Sequence, residues 1–458
     1  MVSRLPLLAL HLYQRATGRH ILESWRELRR TQWLSREELL KLQRDKLQRL
    51  LQYAYAYVPY YRQLFDNVGF RPDELSVRPA SFRRIPLLSK AIIRRNFGSL
   101  LTTEIRRRRE LSRVTTSGST GEPLVFMQDN GYRDCVTAGV LRSLEWAGWR
   151  WGECHAYLWG ASSEAKTAES LRARLMDLIF NRFVANAFVL SDESMGEFVA
   201  QVRKRRPGLL YGYASSLYRF AEFVRENRFN DVGFEAIISS AEVLYPSQRQ
   251  FIEETLGGKV FDRYGTREVG DLGCECEFHT GFHVSVENCY IEIEREGEPV
   301  GPGEAGDIIV TNLNNYGMPF IRYALADVGA WCEEDRCPCG REMPLLGKIE
   351  GRQVDMFRGQ DGRMVWGGFW HSMYEMEGVK QFQFIQKSVN HVVARIVKEG
   401  HLEQASRDRI ERAVQRALGG NVTVEFEFPC HIPPAQSGKF RYQISELGEL
   451  QSQNAIAE

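Results

Sequence analysis

The sequence predicts a large α/β body with flanking antiparallel strands, followed by a small α+β module at its C-terminus. Three observations carry this. At 458 residues the chain exceeds what one compact core serves, so a large body plus a smaller domain is expected. AYLWG (156–160), GLLYGYASSLYRFAEFV and FEAIISSAEVL alternate short apolar strand, turn and helix, the pattern of a sheet flanked by helices. Past Arg352 the pattern changes to strands at 382–386 and 391–397, a helix from Gln404 to Leu418 and one further strand. The division expected is 1–350 and 351–458, joined near Arg352 to Asp355.

Near the N-terminus, LPLLALHLY is too short to span a bilayer, and the following QRATGRH lacks a small-residue cleavage site. An ordinary amphipathic helix is expected, with peripheral membrane contact left open. Residues 35–53 open with Ser35 and Glu38 at capping-box spacing and place Leu39, Leu40, Leu42, Leu47, Leu50 and Leu51 along a packing helix. The runs Arg106–Arg109 and Arg203–Arg206 read as solvated charge. Residues 130–148 carry apolar positions at helical spacing. YIEIEREGEPVGPGEAGDIIVTNL holds two alternating runs around a Gly/Pro turn, hence antiparallel strands. In the module, Ile410, Ala413, Val414 and Ala417 share one helix face, Gly419 and Gly420 end the helix, and Val422, Val424, Phe426 and Phe428 alternate inward.

Composition narrows the function. Apolar residues make up 43%, charged ones 26%, and the formal charge is +1, so no global attraction to nucleic acid or acidic membrane is expected. Nine cysteines without a convincing export signal point to a reducing cytoplasm and to thiol or metal roles.

Residues 115–123, TTSGSTGEP, hold the strongest chemical signal. Gly118 and Gly121 free the backbone, while Thr115, Thr116, Ser117, Ser119 and Thr120 crowd one turn with hydroxyls. Successive N–H groups can curve around an anion, so phosphate can be held without fixed positive charge. Gly121 is followed by Glu122 and Pro123 where a Walker loop requires Lys. Taken alone, a polar surface loop explains the segment equally well.

The order of sparse motifs adds more. TTSGSTGEP at 115, SAE at 240, RYGTRE at 263, MPFIRYALAD at 318, EGR at 350 and SGKFR at 437 resemble the signatures of the adenylate-forming superfamily. VPYYR after the first long helix, EP after the Ser/Thr/Gly loop and the late CPCGR are similar to its phenylacetate-CoA ligase-like branch, which includes capsular polysaccharide biosynthesis proteins. The resemblance covers most of the chain. It implies that the C-terminal module is a mobile lid and that the protein is an AMP-forming acid–thiol ligase. The expected reactants are ATP with Mg²⁺, a small carboxylic acid and CoA, giving an acyl adenylate and then a thioester. It also implies no nucleic-acid partner and no integral membrane segment; a homodimer is compatible with it.

Residue by residue, the resemblance assigns Ser117, Gly118, Ser119, Thr120 and Gly121 to the phosphates, and Ala241, Glu242, Tyr264 and Gly265 to adenine and the α-phosphate. Thr266 donates to the α-phosphate and Glu268 holds Mg²⁺, for which a carboxylate is a suitable hard ligand. Asp327 accepts from the ribose hydroxyls, although Ala326 stands where the family usually has glycine. Arg352 also reaches the ribose. Lys439 bridges the acyl carboxylate and the α-phosphate, neutralising charge as it develops. Trp159, Tyr211 and Tyr213 are candidate aromatic walls for the acid, or equally core aromatics.

The cysteines Cys337 and Cys339, with GCECEFHTGFH about sixty residues earlier, can complete a tetrahedral S₃N site, or can be packed free thiols. Likeness to zinc-bearing relatives selects Cys276, His283, Cys337 and Cys339 for structural zinc, with Cys274, His279 and Cys332 as alternates. Two rival readings stand beside thioester formation: transfer to an amine or hydroxyl, as in polysaccharide or natural-product modification, and a catalytically silent binding homologue.

Overall fold

The computed structural model describes residues 4–116, 124–160, 171–187, 190–352, 356–365, 378–398, 402–433 and 440–447, with Met373, Met376 and Gly400. A short hairpin, β1 (Ser112–Thr115) and β2 (Val125–Gln128), precedes the main sheet. That sheet begins with β3 (His155–Leu158), β4 (Arg182–Ala185), β5 (Leu209–Tyr213), β6 (Ala236–Ser240) and β7 (Lys259–Thr266), all parallel in the order β4-β3-β5-β6-β7. It continues antiparallel through β8 (Gly270–Cys274), β9 (Phe282–Val284), β10 (Cys289–Arg295), β11 (Glu298–Pro299), β12 (Gly306–Asn312), β13 (Tyr323–Trp331) and β14 (Leu345–Arg352). The full order is β11-β10-β12-β13-β14-β9-β8-β7-β6-β5-β3-β4.

Every residue of β3, β5 and β6 is buried, as helices on both faces require. One face carries Leu158, Leu210, Ile237 and Val260 against the helices Asp192–Arg205, Ala214–Glu226 and Pro246–Leu256. The other carries Tyr157, Tyr211, Ile238 and Phe261 against Ile21–Thr31 and Asn130–Trp146. Under the antiparallel half, the helix Arg36–Tyr57 packs Leu39, Leu47, Leu50 and Leu51 against Ile291, Phe320 and Tyr323. The expected capping box at its start is present: Ser35 accepts from the Glu38 N–H, and Glu38 accepts from the Ser35 N–H.

Farther along, β15 (Phe357–Arg358) and β16 (Met364–Val365) form a small hairpin, and β17 (Val379–Ser388), β18 (His391–Lys398), β19 (Thr423–Glu427) and β20 (Gln443–Ser445) form a separate sheet in the order β19-β18-β17-β20. Phe382, Phe384 and Ile396 pack there against Ile410, Val414 and Leu418 of the helix Gln404–Leu418. The expected α/β body with a small C-terminal domain is the fold observed. The N-terminal LPLLALHLY lies in the helix Arg4–Thr17. No described helix is long and apolar enough to cross a membrane.

One expectation is corrected. Arg107 is no solvated charge: it bonds Glu104 and the buried Asp129 and lies over the Tyr53 and Tyr316 rings. Asp129 itself caps the helix Asn130–Trp146 and accepts from the Tyr316 and Gly317 N–H groups, both at 3.0 Å.

Arg142, in the middle of that helix, is 1% exposed and bonds Glu287 at 2.9 Å and Ser285 at 2.8 Å. A buried ion so paired becomes costly when its partner leaves. Arg142→Met should therefore destabilise the fold by about 3–5 kcal/mol in urea unfolding, because Glu287 is stranded. Adding Glu287→Leu should restore most of the loss.

Candidate active site

β6 delivers SAE to the carboxyl end of the parallel strands, where ligands of open α/β sheets bind. Ala241, just past β6, has φ 68°, and Glu242 accepts from the Ser215 N–H at 2.9 Å at the start of the helix Ala214–Glu226. One Glu242 oxygen is thus used within the fold, orienting the segment.

β7 carries RYGTRE into a turn before β8. The register shifts between Tyr264 and Gly265, and a Cβ on Gly265 would sit 2.7 Å from the Gly270 carbonyl oxygen, so glycine is required there. Thr266 Oγ1 accepts from the Val269 N–H at 3.2 Å and closes the turn. The Tyr264 hydroxyl donates to Asp327 Oδ2 at 2.7 Å, joining the β7 motif to β13. Asp327 pairs in register with Arg352 on β14. Glu268 accepts a long hydrogen bond, 3.5 Å, from the Tyr323 hydroxyl on the same β13.

The Ser/Thr/Gly stretch, with Ser117, Gly118, Ser119, Thr120 and Gly121, lies outside the described residues, but both of its stems are within them. The Thr116 N–H donates to the Leu124 carbonyl and the Leu124 N–H to Thr116 Oγ1, each at 2.9 Å. Arg267 donates to the Thr115 carbonyl at 3.0 Å, while Gln128 and Tyr132 donate to the Arg267 carbonyl. RYGTRE and the hairpin β1–β2 are therefore bonded to each other. Lys439 also lies outside the described residues. Beyond it, the Tyr442 ring meets Tyr245 edge-on at 6.2 Å, at the start of the helix Pro246–Leu256 and a few residues past SAE.

The three aromatic residues meet on one sheet face. Trp159 stacks on Tyr213 at 4.2 Å and lies 5.3 Å from Tyr211. Tyr213 donates to the Gly160 carbonyl at 2.9 Å, and Arg263 donates to the Tyr211 hydroxyl oxygen at 3.2 Å. Arg263 also pairs with Asp271 at 2.8 Å. Asp271 lies outside every motif quoted from the sequence, and Arg263 and Tyr323, although within RYGTRE and MPFIRYALAD, are assigned no role by them.

Cys276, His283, Cys337 and Cys339 converge, with one ligand atom from each lying within 4.8 Å of all the others. The Cys276–Cys337, His283–Cys276 and Cys339–His283 separations are each 3.4 Å. A disulfide would be about 2.05 Å. A tetrahedron built on bonds of ~2.3 Å has edges of about 3.7 Å, so the spacing fits a metal. Burial, with Arg341 and Arg142 nearby, lowers the His283 pKa to about 4, keeping the imidazole neutral as a ligand must be. Cys276 follows β8, His283 is on β9, and Cys337 and Cys339 lie between β13 and β14, so a bound ion would join both connections. The alternates stand apart. His279 pairs with Glu275 at 3.0 Å, Cys332 donates to the Thr280 carbonyl, and Cys274 is buried in β8.

Comparison with known proteins places the chain. Residues 357–446 match the CapK C-terminal domain family. Phenylacetate-coenzyme A ligase of Thermus thermophilus is 27% identical over 89% of this chain and 96% of its own, and Protein CapK of Staphylococcus aureus is 20% identical over 90% of each. The crystal structure of 2-hydroxyisobutyryl-CoA ligase in the postadenylation state superposes with a TM-score of 0.72 at 22% identity, covering 90% of this chain and 91% of that one. The fold is that of this CoA ligase. Along most of its length the chain is similar to phenylacetate-coenzyme A ligases, and near its C-terminus it matches the CapK C-terminal domain.

Gly265→Ala should cost about 1–3 kcal/mol, since the backbone of the β7–β8 turn must move to admit the methyl group. A lowered thermal midpoint in a protein that still folds would show it.

Proposed function

We propose that this protein activates a small carboxylic acid with ATP to an acyl adenylate, releasing pyrophosphate, and passes the acyl group to CoA. The observation that carries the reading is the Tyr264–Asp327 hydrogen bond. It draws the turn with Gly265, Thr266 and Glu268 together with the β13–β14 pair bearing Asp327 and Arg352. In this reading Asp327 receives the ribose hydroxyls and Arg352 assists. Tyr264 and Gly265 border the adenine with Ala241 and Glu242, Thr266 donates to the α-phosphate, and the 117–121 stretch encloses the outer phosphates. Glu268 holds Mg²⁺, which supplies positive charge against the phosphate oxygens.

Lys439 neutralises charge at the α-phosphate only while the carboxylate attacks. Residues 1–350 act as the body and 351–458 as a lid turning near Arg352 to Asp355, which removes Lys439 before thiol attack. Trp159, Tyr211 and Tyr213 line the acid site. The motif resemblance to capsular polysaccharide biosynthesis proteins keeps a second reading for the acceptor alone, transfer to an amine or hydroxyl in polysaccharide modification. Cytoplasmic residence with peripheral membrane contact fits either acceptor.

Lys439→Ala tests this directly. Pyrophosphate exchange should fall by about 10²–10³-fold, while transfer from a supplied acyl adenylate to CoA is largely kept. Equal loss of both steps in a folded protein would remove Lys439 from the role, and retained exchange would remove SGKFR from the site.

Cys276, His283, Cys337 and Cys339 hold structural zinc in the same reading. Protein purified without chelator should carry close to one zinc per chain, and Cys339→Ser should lower both zinc content and thermal midpoint before activity per folded molecule changes. Absence of zinc together with freely titrating Cys337 and Cys339 would leave packed thiols.

A further inference from the structure

The wall of the proposed acid site carries a donor that no described residue accepts. Tyr211 is 3% exposed, and its ring is held between Tyr157, stacked at 4.8 Å, and Trp159. Its hydroxyl oxygen accepts from Arg263 at 3.2 Å, which leaves the phenolic hydrogen to be donated elsewhere. Among the described residues nothing accepts it. The neighbouring Tyr213 differs, because its hydroxyl is spent on the Gly160 carbonyl. Of the two phenols, therefore, only Tyr211 keeps an O–H that no described residue accepts.

Position agrees with a ligand contact. Tyr213, Ser240 and Arg263 stand opposite one another in register as the last row that β5, β6 and β7 share, at the carboxyl ends of β5 and β6. Tyr211 is the next residue inward on the same face and is bridged to that row by Arg263.

We propose that the acid activated here carries a neutral acceptor oxygen (hydroxyl, carbonyl or ether) away from its reacting carboxylate, and that the Tyr211 hydroxyl donates to it. This rests on the assignment of Trp159, Tyr211 and Tyr213 to the acid site. Accepting from a guanidinium polarises the phenol and strengthens it as a donor. The oxygen is neutral because the Arg263 charge is already matched by Asp271 at 2.8 Å, so a second carboxylate would enter as an unpaired buried anion. A hydrocarbon tail would leave the buried O–H unsatisfied, which is the basis on which such sites reject deoxy analogues.

Pyrophosphate exchange on matched acids decides it: phenylacetate against 4-hydroxyphenylacetate, hexanoate against 6-hydroxyhexanoate, with adipate as the dicarboxylate. The oxygenated member of at least one pair should lead by about 10²-fold or more in kcat/KM, with adipate poor. Tyr211→Phe, which keeps the ring stack and whose folding is checked by its melting curve, should bring the pair within a few-fold, because the oxygenated member falls far more than its deoxy partner. Deoxy acids used as well as their partners, or a preference that survives Tyr211→Phe, would overturn the inference and leave acid activation standing. Exchange with no acid in the panel would overturn both.

Discussion

One chain of buried charges ties the N-terminal helices to the site. Thr31 bonds Glu287, Glu287 pairs with Arg142, Arg142 bonds Ser285, Ser285 bonds Asp271, and Asp271 pairs with Arg263, which reaches Tyr211. Two guanidinium groups face two carboxylates, so the buried set carries no net charge, the condition under which burial of ions is tolerated. Room for it is made by Gly139, where a Cβ would lie 2.6 Å from the Asp271 carboxylate. Because Arg263 begins RYGTRE, the strand that leads into Tyr264 is fixed from behind by this chain. The orientation of the Tyr264 hydroxyl toward Asp327 thus depends on residues far from any motif.

The body was legible where burial imposes a period. β5 and β6 read as continuous apolar runs because both faces are covered, and β19 alternates because only one face is. The capping box at Ser35 was equally plain, since its two hydrogen bonds are local in sequence. The metal-type cluster was legible by ligand type, and the fold selected among candidates. β14 pairs Leu345 with His283, which brings the Cys337–Cys339 loop to β9, whereas Glu275 occupies His279.

What could not be read was long-range polar pairing. Asp129 caps the helix that follows it, yet its second oxygen binds backbone nearly two hundred residues away, and no local pattern encodes that partner. The same holds for Arg107, whose run of arginines resembles a solvated face until Asp129 is brought beside it. Arg142 is less visible still: an arginine within an apolar-period helix reads as a boundary of the buried stripe, and only the arrival of Glu287 and Ser285 explains its burial. Charge pairs of this kind are specified by topology, and topology is what composition and period leave open.

Three residues beside the proposed site adopt left-handed backbone. Ala241, Arg322 and Ala326 adopt φ of 68°, 49° and 61°, and each immediately precedes a residue placed in the site or bonded to one: Glu242, Tyr323 and Asp327. Left-handed backbone at a residue with a side chain costs about 1 kcal/mol or more and persists only where the surroundings enforce it. For Arg322 the enforcement is visible, since its guanidinium is held by Glu292, Glu294 and the Arg83 and Ile85 carbonyls. That clamp fixes the start of β13, and with it both the Tyr323 hydroxyl beside Glu268 and the Asp327 carboxylate beside Tyr264. Ala326 holds with a methyl group the conformation for which glycine is the unstrained choice, inside β13 where its register against β12 shifts, so the paired strands on either side absorb the cost. Left-handed backbone at the residues before Glu242, Tyr323 and Asp327, three of eight such non-glycine positions among the described residues, fixes those polar groups by folding, so that their orientation need not be supplied by binding.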